Sequence, residues 1–422
     1  MLDWFFALSF TDQLIIVIAL VAGFYMAWTI GANDVANSMG TSVGSGALTL
    51  KKAVIVAGIF EFAGAVLVGK HVSGTIKSGI ITPELINDPE VYALAMLACL
   101  IAATLWVFVA TYYSLPISTT HAIVGAAIGI GLFISADYVN LSIVKNIALS
   151  WIFSPIAGGI ISFLFFKIVI ATVFSKKDPV AALKRVGPYL VFINVFIIVL
   201  SIFYKGLAKL GLAFGAQEAI ELSLLLGLVG ALVSAYIFST MDHKRVRTDA
   251  ERYRQVEHVF GYLQVMTACS VAFAHGANDV ANAIGPLSAV FETMKAGTIV
   301  ATSGVPLSIL LLGGFGIVVG IATWGYKVIE TVGKRITEIT PSRGFCAEIG
   351  TTITVLVCSR FGIPISTTQV LIGSVMGVGF ARGIAAIDFG IIRRIFVSWM
   401  LTLPISAISS ILIYVALKGV LL

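Results

Sequence analysis

Runs of apolar residues, each long enough to cross a lipid bilayer as a helix, fill almost the whole chain, and no soluble fold accommodates that pattern. About 20 helical residues span the ~30 Å of hydrocarbon in a membrane. Such runs lie near 14–30, 53–69, 91–112, 116–134, 147–172, 189–204, 219–240, 258–275, 304–325, 345–361, 365–381 and 395–417. They predict an all-α polytopic membrane protein of about twelve transmembrane helices. Composition agrees: 59% of the 422 residues are hydrophobic and 11% charged, where a soluble domain carries about 25% charged.

Several other classes are set aside by the same reading. The run 14–30 is expected to be retained rather than cleaved, because no Lys or Arg precedes it and its pattern returns at 258–275. Cys99, Cys269, Cys346 and Cys358 fall in apolar runs without CxxC spacing, which predicts neither a zinc site nor a disulfide framework. His71, His243, His258 and His275 show no metal-ligand spacing. The net charge of +6 sits in short connections rather than along one face, so membrane orientation accounts for it and nucleic acid is not an expected partner. No nucleophile, base and orienting group stand together, so the chain is not read as an enzyme. No cofactor is expected.

Basic residues give the orientation. Residues 176–185 and 244–254 are the two most basic connections and are separated by two apolar runs, which puts both on one side; the positive-inside rule makes that side the cytoplasm. Asp3 and Asp12, with no basic neighbour, favour an outside N-terminus, in a plasma (inner) membrane.

An internal repeat then divides the chain. "GANDVAN" begins at Gly31 and again at Gly276, and "LPISTT" at Leu115 returns as "IPISTT" at Ile363. Residues 1–174 form a first repeat of about five spans, 175–257 a connector with two spans, and 258–422 a second repeat of about five. One copy starts outside and the other inside, so the repeats are expected to be inverted about an axis in the membrane plane, an arrangement common in secondary transporters.

Each motif has its own chemistry. Pro116 and Pro364 cannot donate a backbone hydrogen bond and disfavour helix before them, so each marks a break and a new helix start. Ser118, Thr119, Thr120 and Ser366, Thr367, Thr368 then occupy first turns, where free N–H groups, hydroxyls and the positive helix end favour an anion; Gln369 and its counterpart His121 follow them, placed to donate to the anion or, alternatively, to hydrogen-bond between helices. The alternative is that the hydroxyls simply cap the helices. An oxyanion such as phosphate or sulfate suits two such seats facing one point.

In "GANDVAN" the glycine and asparagines disfavour helix, and the sequel "SMGTSVGSGALT" reads as unwound or re-entrant backbone, tolerable at this depth only inside protein or against a cavity. Asp34 and Asp279 would repel an anion unless a cation lies between. Side-chain oxygens of Asn33, Asp34, Asn37, Asn278, Asp279 and Asn282, with freed carbonyls, are hard ligands for an alkali ion; hydrogen-bonded cross-linking of helices is the alternative for the asparagines. Glu61 in mid-span and Glu348 near a span end are further intramembrane acids, fit to bind a cation, carry a proton or line a path. With no GxxxxGK[ST] loop in the chain, an ion gradient is the expected energy source.

Paired "GANDVAN" and "PISTT" blocks over nearly the whole chain resemble the inorganic phosphate transporter family, the Pit-type symporters. The resemblance implies transport of inorganic phosphate with sodium, or in some members with protons, while some relatives carry sulfate. It implies cation binding by Asp34, Asp279 and the neighbouring asparagines, phosphate binding by the two STT triplets, and importance for Glu61 and Glu348. The large hydrophilic central loop of animal members is missing here. The expectation is a sodium-coupled phosphate symporter with sodium co-transported, alternating access at the repeat interface, and a homodimer in the bilayer. Proton coupling, a sulfate permease and a channel are its rivals.

Overall fold

Asp-Pro pairs, Ser9 and the two serines after the prolines set the starts of many helices in the computed structural model. It describes residues 3–69, 80–81, 86, 88–203, 215–241, 248–300, 304–334, 337–360 and 365–421. His71, His243, Pro364 and residues 244–247 of the second basic connection lie outside the described residues. After a single turn at Asp3–Phe6, the helices are α1 (Phe10–Gly44), α2 (Leu50–Val68), α3 (Pro89–Tyr112), α4 (Thr119–Ile134), α5 (Leu141–Val169), α6 (Pro179–Ser201), α7 (Ala216–Thr240), α8 (Asp249–Ala296), α9 (Leu307–Trp324), α10 (Tyr326–Lys334), α11 (Pro341–Arg360), α12 (Thr367–Arg382) and α13 (Phe389–Leu421). The fold is all-helical, and among the described residues strand pairing is limited to one bridge, Ile81 with Val139.

Local chemistry explains the ends. Asp88 and Asp178 accept hydrogen bonds from the first-turn amides of α3 and α6, each with proline in the first position, where its missing N–H costs nothing. Ser118 and Ser366 cap α4 and α12 in the same way. Between α3 and α4 the backbone turns through Ser114 at φ 57°, a left-handed conformation, and its carbonyl accepts a hydrogen bond from Thr331 Oγ1 at 3.2 Å.

Each of the twelve apolar runs falls on a helix, but the helices are not all of one kind. By length and composition, seven of the described helices can cross a membrane: Phe10–Gly44, Pro89–Tyr112, Leu141–Phe174, Pro179–Leu200, Ala216–Thr240, Leu307–Trp324 and Phe389–Leu421. At 16 residues each, α4 and α12 reach only ~24 Å. They are too short to cross alone, so the runs 116–134 and 365–381, expected as full spans, form shorter helices instead.

The expectation of unwound backbone at "GANDVAN" is corrected. α1 runs unbroken for 35 residues through the first copy, and α8 for 48 residues through the second, despite Pro286. Tertiary packing overrides the weak helix preference of Gly and Asn. A Cβ at Gly31 would collide with the Ile317 carbonyl of α9, and one at Gly276 with the Glu61 carbonyl of α2. These glycines are crossing points where two helix backbones touch, not places where a helix unwinds.

The halves exchange partners. α1 packs on α9 while α8 packs on α2; α4 packs on α13 while α12 packs on α5; α3 packs on α13 while α11 packs on α5. Gly23 meets Leu287, Asp34 meets Asp279 through His275, and Ser45 meets Gln264, so α1 and α8 run antiparallel through the centre.

Candidate functional site

Asp34 and Asn37 lie three residues apart on α1 and therefore on one face, while Asn33 is turned about 100° away. That rotation divides their roles. Asn33 donates from Nδ2 to Thr111 Oγ1 at 2.9 Å and to the Leu115 carbonyl at 3.0 Å, and its Oδ1 accepts from the Ile117 amide at 3.2 Å. It therefore holds the break between α3 and α4 against α1, the cross-linking reading for this asparagine. Asn33→Ala should leave those buried groups unpaired and lower stability by about 2–4 kcal/mol, seen as a lower melting temperature of the purified protein.

Asp34, Asn37 and the threonines form the centre. Thr119 Oγ1 donates to Asp34 Oδ2 at 2.8 Å, and Thr367 Oγ1 donates to Asp279 Oδ2 at 2.8 Å. Asn37 Nδ2 donates to Thr368 Oγ1 at 2.8 Å; Asn282 Nδ2 donates to Thr120 Oγ1 at 3.3 Å and to Thr119 Oγ1 at 3.2 Å. Thr368 donates to the Ile117 carbonyl at 3.1 Å and Thr120 to the Ile365 carbonyl at 3.4 Å. Every one of these pairings between the two motif copies recurs with the copies exchanged. Asn278 Nδ2 reaches only Asp279 Oδ1, at 2.9 Å.

Ser118 and Ser366 do not join this cluster. Their hydroxyls accept from the amides of His121 and Gln369, so the capping reading holds for the serines and not for the threonines. Gln369 also stands apart: one residue beyond Thr368, its side chain is turned about 100° away and lines a groove. His121, the counterpart of Gln369, lies tilted against Trp151 at 3.8 Å between ring centroids and forms no hydrogen bond from either ring nitrogen. The carbonyls of "GANDVAN", expected to be freed as ligands, stay within continuous helix; those of Ile117 and Ile365 at the breaks point into the cluster instead.

His275, set aside in the sequence, occupies the middle. Its Nδ1 lies 2.9 Å from Glu61 Oε2, and Nε2 lies 2.8 Å from Asp279 Oδ2 and 3.8 Å from Asp34 Oδ2. The contact with Asp279 is short but off the line of a hydrogen bond, which leaves Nε2 without an aligned partner. One ligand atom from each of Asp34, His275 and Asp279 falls within 4.8 Å of the others, all buried. The sequence held one signal for it: His275 precedes Asp279 by four residues, one helical turn. Ile30 fills the matching position in the first copy, so the repeat itself hid the histidine.

Glu61 is fully buried and also accepts from Ser38 at 2.9 Å. Glu348 is likewise fully buried, not a solvated helix end, and belongs to a separate pocket. It accepts from Thr41 at 2.5 Å, Ser42 at 3.0 Å, Gln264 Nε2 at 3.2 Å and Thr267. Four neutral donors satisfy its oxygens, and no positive side chain among the described residues does so. The main cluster is closely packed: the cavity beside Asn37, His275 and Thr367 is about 10 Å³, the room of one water centre.

A family model described as the phosphate transporter family matches residues 30–410, which include both motif copies and every residue of this cluster. The chain belongs to the phosphate transporter family. That is a family of transporters rather than of enzymes, and its several apolar helices make this member a multi-pass membrane protein. Among similar members, one from Haemophilus influenzae is 44% identical over 96% of this chain and 96% of its own length, and one from Pyrococcus abyssi is 44% identical over 94% and 97%; each carries the name "Putative phosphate permease". A solved structure, "The sodium-dependent phosphate transporter", is 41% identical and superposes with a TM-score of 0.88 over 96% of this chain and 99% of that one.

Proposed function

We propose that this member of the phosphate transporter family is a sodium-coupled symporter, carrying inorganic phosphate across the plasma membrane by alternating access. The observation that carries the proposal is the charge of the cluster. Asp34, Asp279 and Glu61 surround one imidazole, so with the acids ionised at least two negative charges lack a partner in a buried site. Unpaired buried charge is strongly unfavourable, and an incoming phosphate would make it worse. Cations bound by Asp34, Asn37, Asp279 and Asn282 remove the conflict and turn the acids from a barrier into the reason transport is coupled. The relative of known structure supports sodium as that cation.

Phosphate is assigned to the threonines Thr119, Thr120, Thr367 and Thr368, at the positive N-terminal ends of α4 and α12. Ser118 and Ser366 preorganise those ends by capping them. A cavity of about 10 Å³ cannot admit phosphate, so the helices must part to load it, as alternating access requires. The exchanged hydrogen bonds and exchanged helix pairs support inverted repeats over 1–174 and 258–422, with 175–257 as connector. In this reading the breaks that precede α4 and α12 bring the N-terminal ends of these short helices beside Asp34 and Asp279. The basic connections at 176–185 and 244–254 keep the N-terminus outside. The unit in the bilayer is a homodimer.

The deciding measurement is radiolabelled phosphate uptake into proteoliposomes under a sodium gradient, a proton gradient or neither. Uptake under sodium alone supports the proposal; uptake under protons with no response to sodium overturns it, and competition by excess sulfate would reassign the anion. Thr120→Ala and Thr368→Ala are each expected to raise the phosphate concentration for half-maximal uptake roughly 5- to 10-fold, the worth of a buried hydrogen bond. Ser118→Ala should instead cost about 1 kcal/mol of stability, as a lost helix cap, with half-saturation unchanged.

A further inference from the structure

Away from the acid cluster, α5, α12 and α13 enclose a groove of about 690 Å³, within the range of small-molecule sites. Its walls include Ile156, Phe163, Met376 and Trp399, and its outer rim is exposed on the face of two apolar helices, with Ile156 at 53% and Phe396 at 49% exposure. In a multi-pass membrane protein an exposed apolar rim of this kind is suited to hydrocarbon, and a groove there would open sideways into the membrane. Its inner end is different. Gln369, 95% buried, brings Oε1 there with no hydrogen-bond partner, and Trp151 Nε1 is likewise buried and unpaired, as are both ring nitrogens of His121, whose ring lies against Trp151 at 3.8 Å between centroids. Of these, Gln369 and Trp151 line the groove, and an acceptor and a donor left unpaired at the end of an apolar channel are each unfavourable unless an occupant pairs them.

We propose that this groove binds the protonated form of a long-chain fatty acid drawn from the bilayer, its alkyl chain along the α5–α12 walls and its carboxyl at Gln369 and Trp151. A neutral carboxyl has both groups the floor lacks: its O–H donates to Gln369 Oε1 and its carbonyl oxygen accepts from Trp151 Nε1. Desolvation at this depth favours the protonated acid, so no countercharge is needed. The proposal does not depend on which ion drives transport, and its test does not read transport.

The probe is a palmitic acid carrying a terminal diazirine, added to the full-length protein in nanodiscs, with photolabelled residues mapped by mass spectrometry. Labelling is expected on the groove residues of α5, α12 and α13, to be competed by excess unlabelled oleic acid, and to be lost in Ile156→Trp, which fills the opening. Gln369→Leu should weaken competition roughly 5- to 10-fold, the worth of one buried hydrogen bond. Uncompeted labelling, or labelling equally dense on the lipid-facing residues Leu228 and Leu232 of α7, means partition into lipid only and overturns the site. Competition unchanged in Gln369→Leu overturns the placement of the carboxyl.

Discussion

Asp34→Asn and Asp279→Asn are each expected to abolish sodium-driven phosphate uptake while leaving a folded protein. Asparagine keeps the size of the side chain, and its amide oxygen still accepts from Thr119 or Thr367, so the helices stay docked. What disappears is the charge to which the proposed function assigns the cation. Breaking a buried charge pair by neutralising one partner costs about 3–5 kcal/mol, equivalent to at least a 100-fold loss of cation affinity. Uptake should fall to background at ordinary sodium, and an elution profile unchanged on size exclusion would show that the loss is functional. Near-normal uptake in either variant would remove the acids from the coupling mechanism. The two variants should behave alike, because each aspartate is bonded to the threonine of its own motif copy.

Gly276→Val is expected to prevent stable assembly. The added Cβ would lie against the Glu61 carbonyl at the α8–α2 crossing, where backbone rather than a flexible side chain must yield. Overpacking a core costs about 1–3 kcal/mol where neighbours can move, and more where they cannot. Parting α8 from α2 would also draw Glu61 away from His275, leaving both buried groups unpaired. The result should be aggregated protein on fluorescence-detected size exclusion, with Gly31→Val failing in the same way against α9. A monodisperse, thermally stable Gly276→Val protein would show that the crossing is looser than the structure has it. Gly390, close to nothing but the Asp388 carboxylate, is the control and should accept alanine without effect.

How much of this was legible in advance follows from where each signal resides. The starts of α4 and α12 were readable because Ser118 and Ser366 act locally, as helix caps, with Pro116 lacking its N–H just before α4. The meeting of the two motif copies was readable because the same two blocks recur in the same order, so a duplicated unit brings equivalent residues to matching places. The continuity of α1 and α8 was not, since Gly31 and Gly276 weaken a helix considered alone and strengthen it only against Ile317 and Glu61. His275 was missed for a related reason: its partner Glu61 lies 214 residues away, and the first copy has isoleucine in its place. The separation of Ser118 from Thr119 depends on which way each residue faces around one turn, and only the packed neighbours fix that.

The exchange of helix partners also bears on how the chain is made. When α1 to α5 have entered the membrane, the surfaces they bury in the finished protein face helices not yet synthesised: α9 for α1, α8 for α2, α13 for α4 and α12 for α5. Until then the nascent first half holds Asp34, Glu61 and their hydroxyl neighbours without the interior that later shelters them. Completion of the molecule is therefore an event of its last hundred or so residues, and a ribosome stalled before α12 leaves an insertion intermediate suited to membrane quality-control proteases rather than half of a working machine.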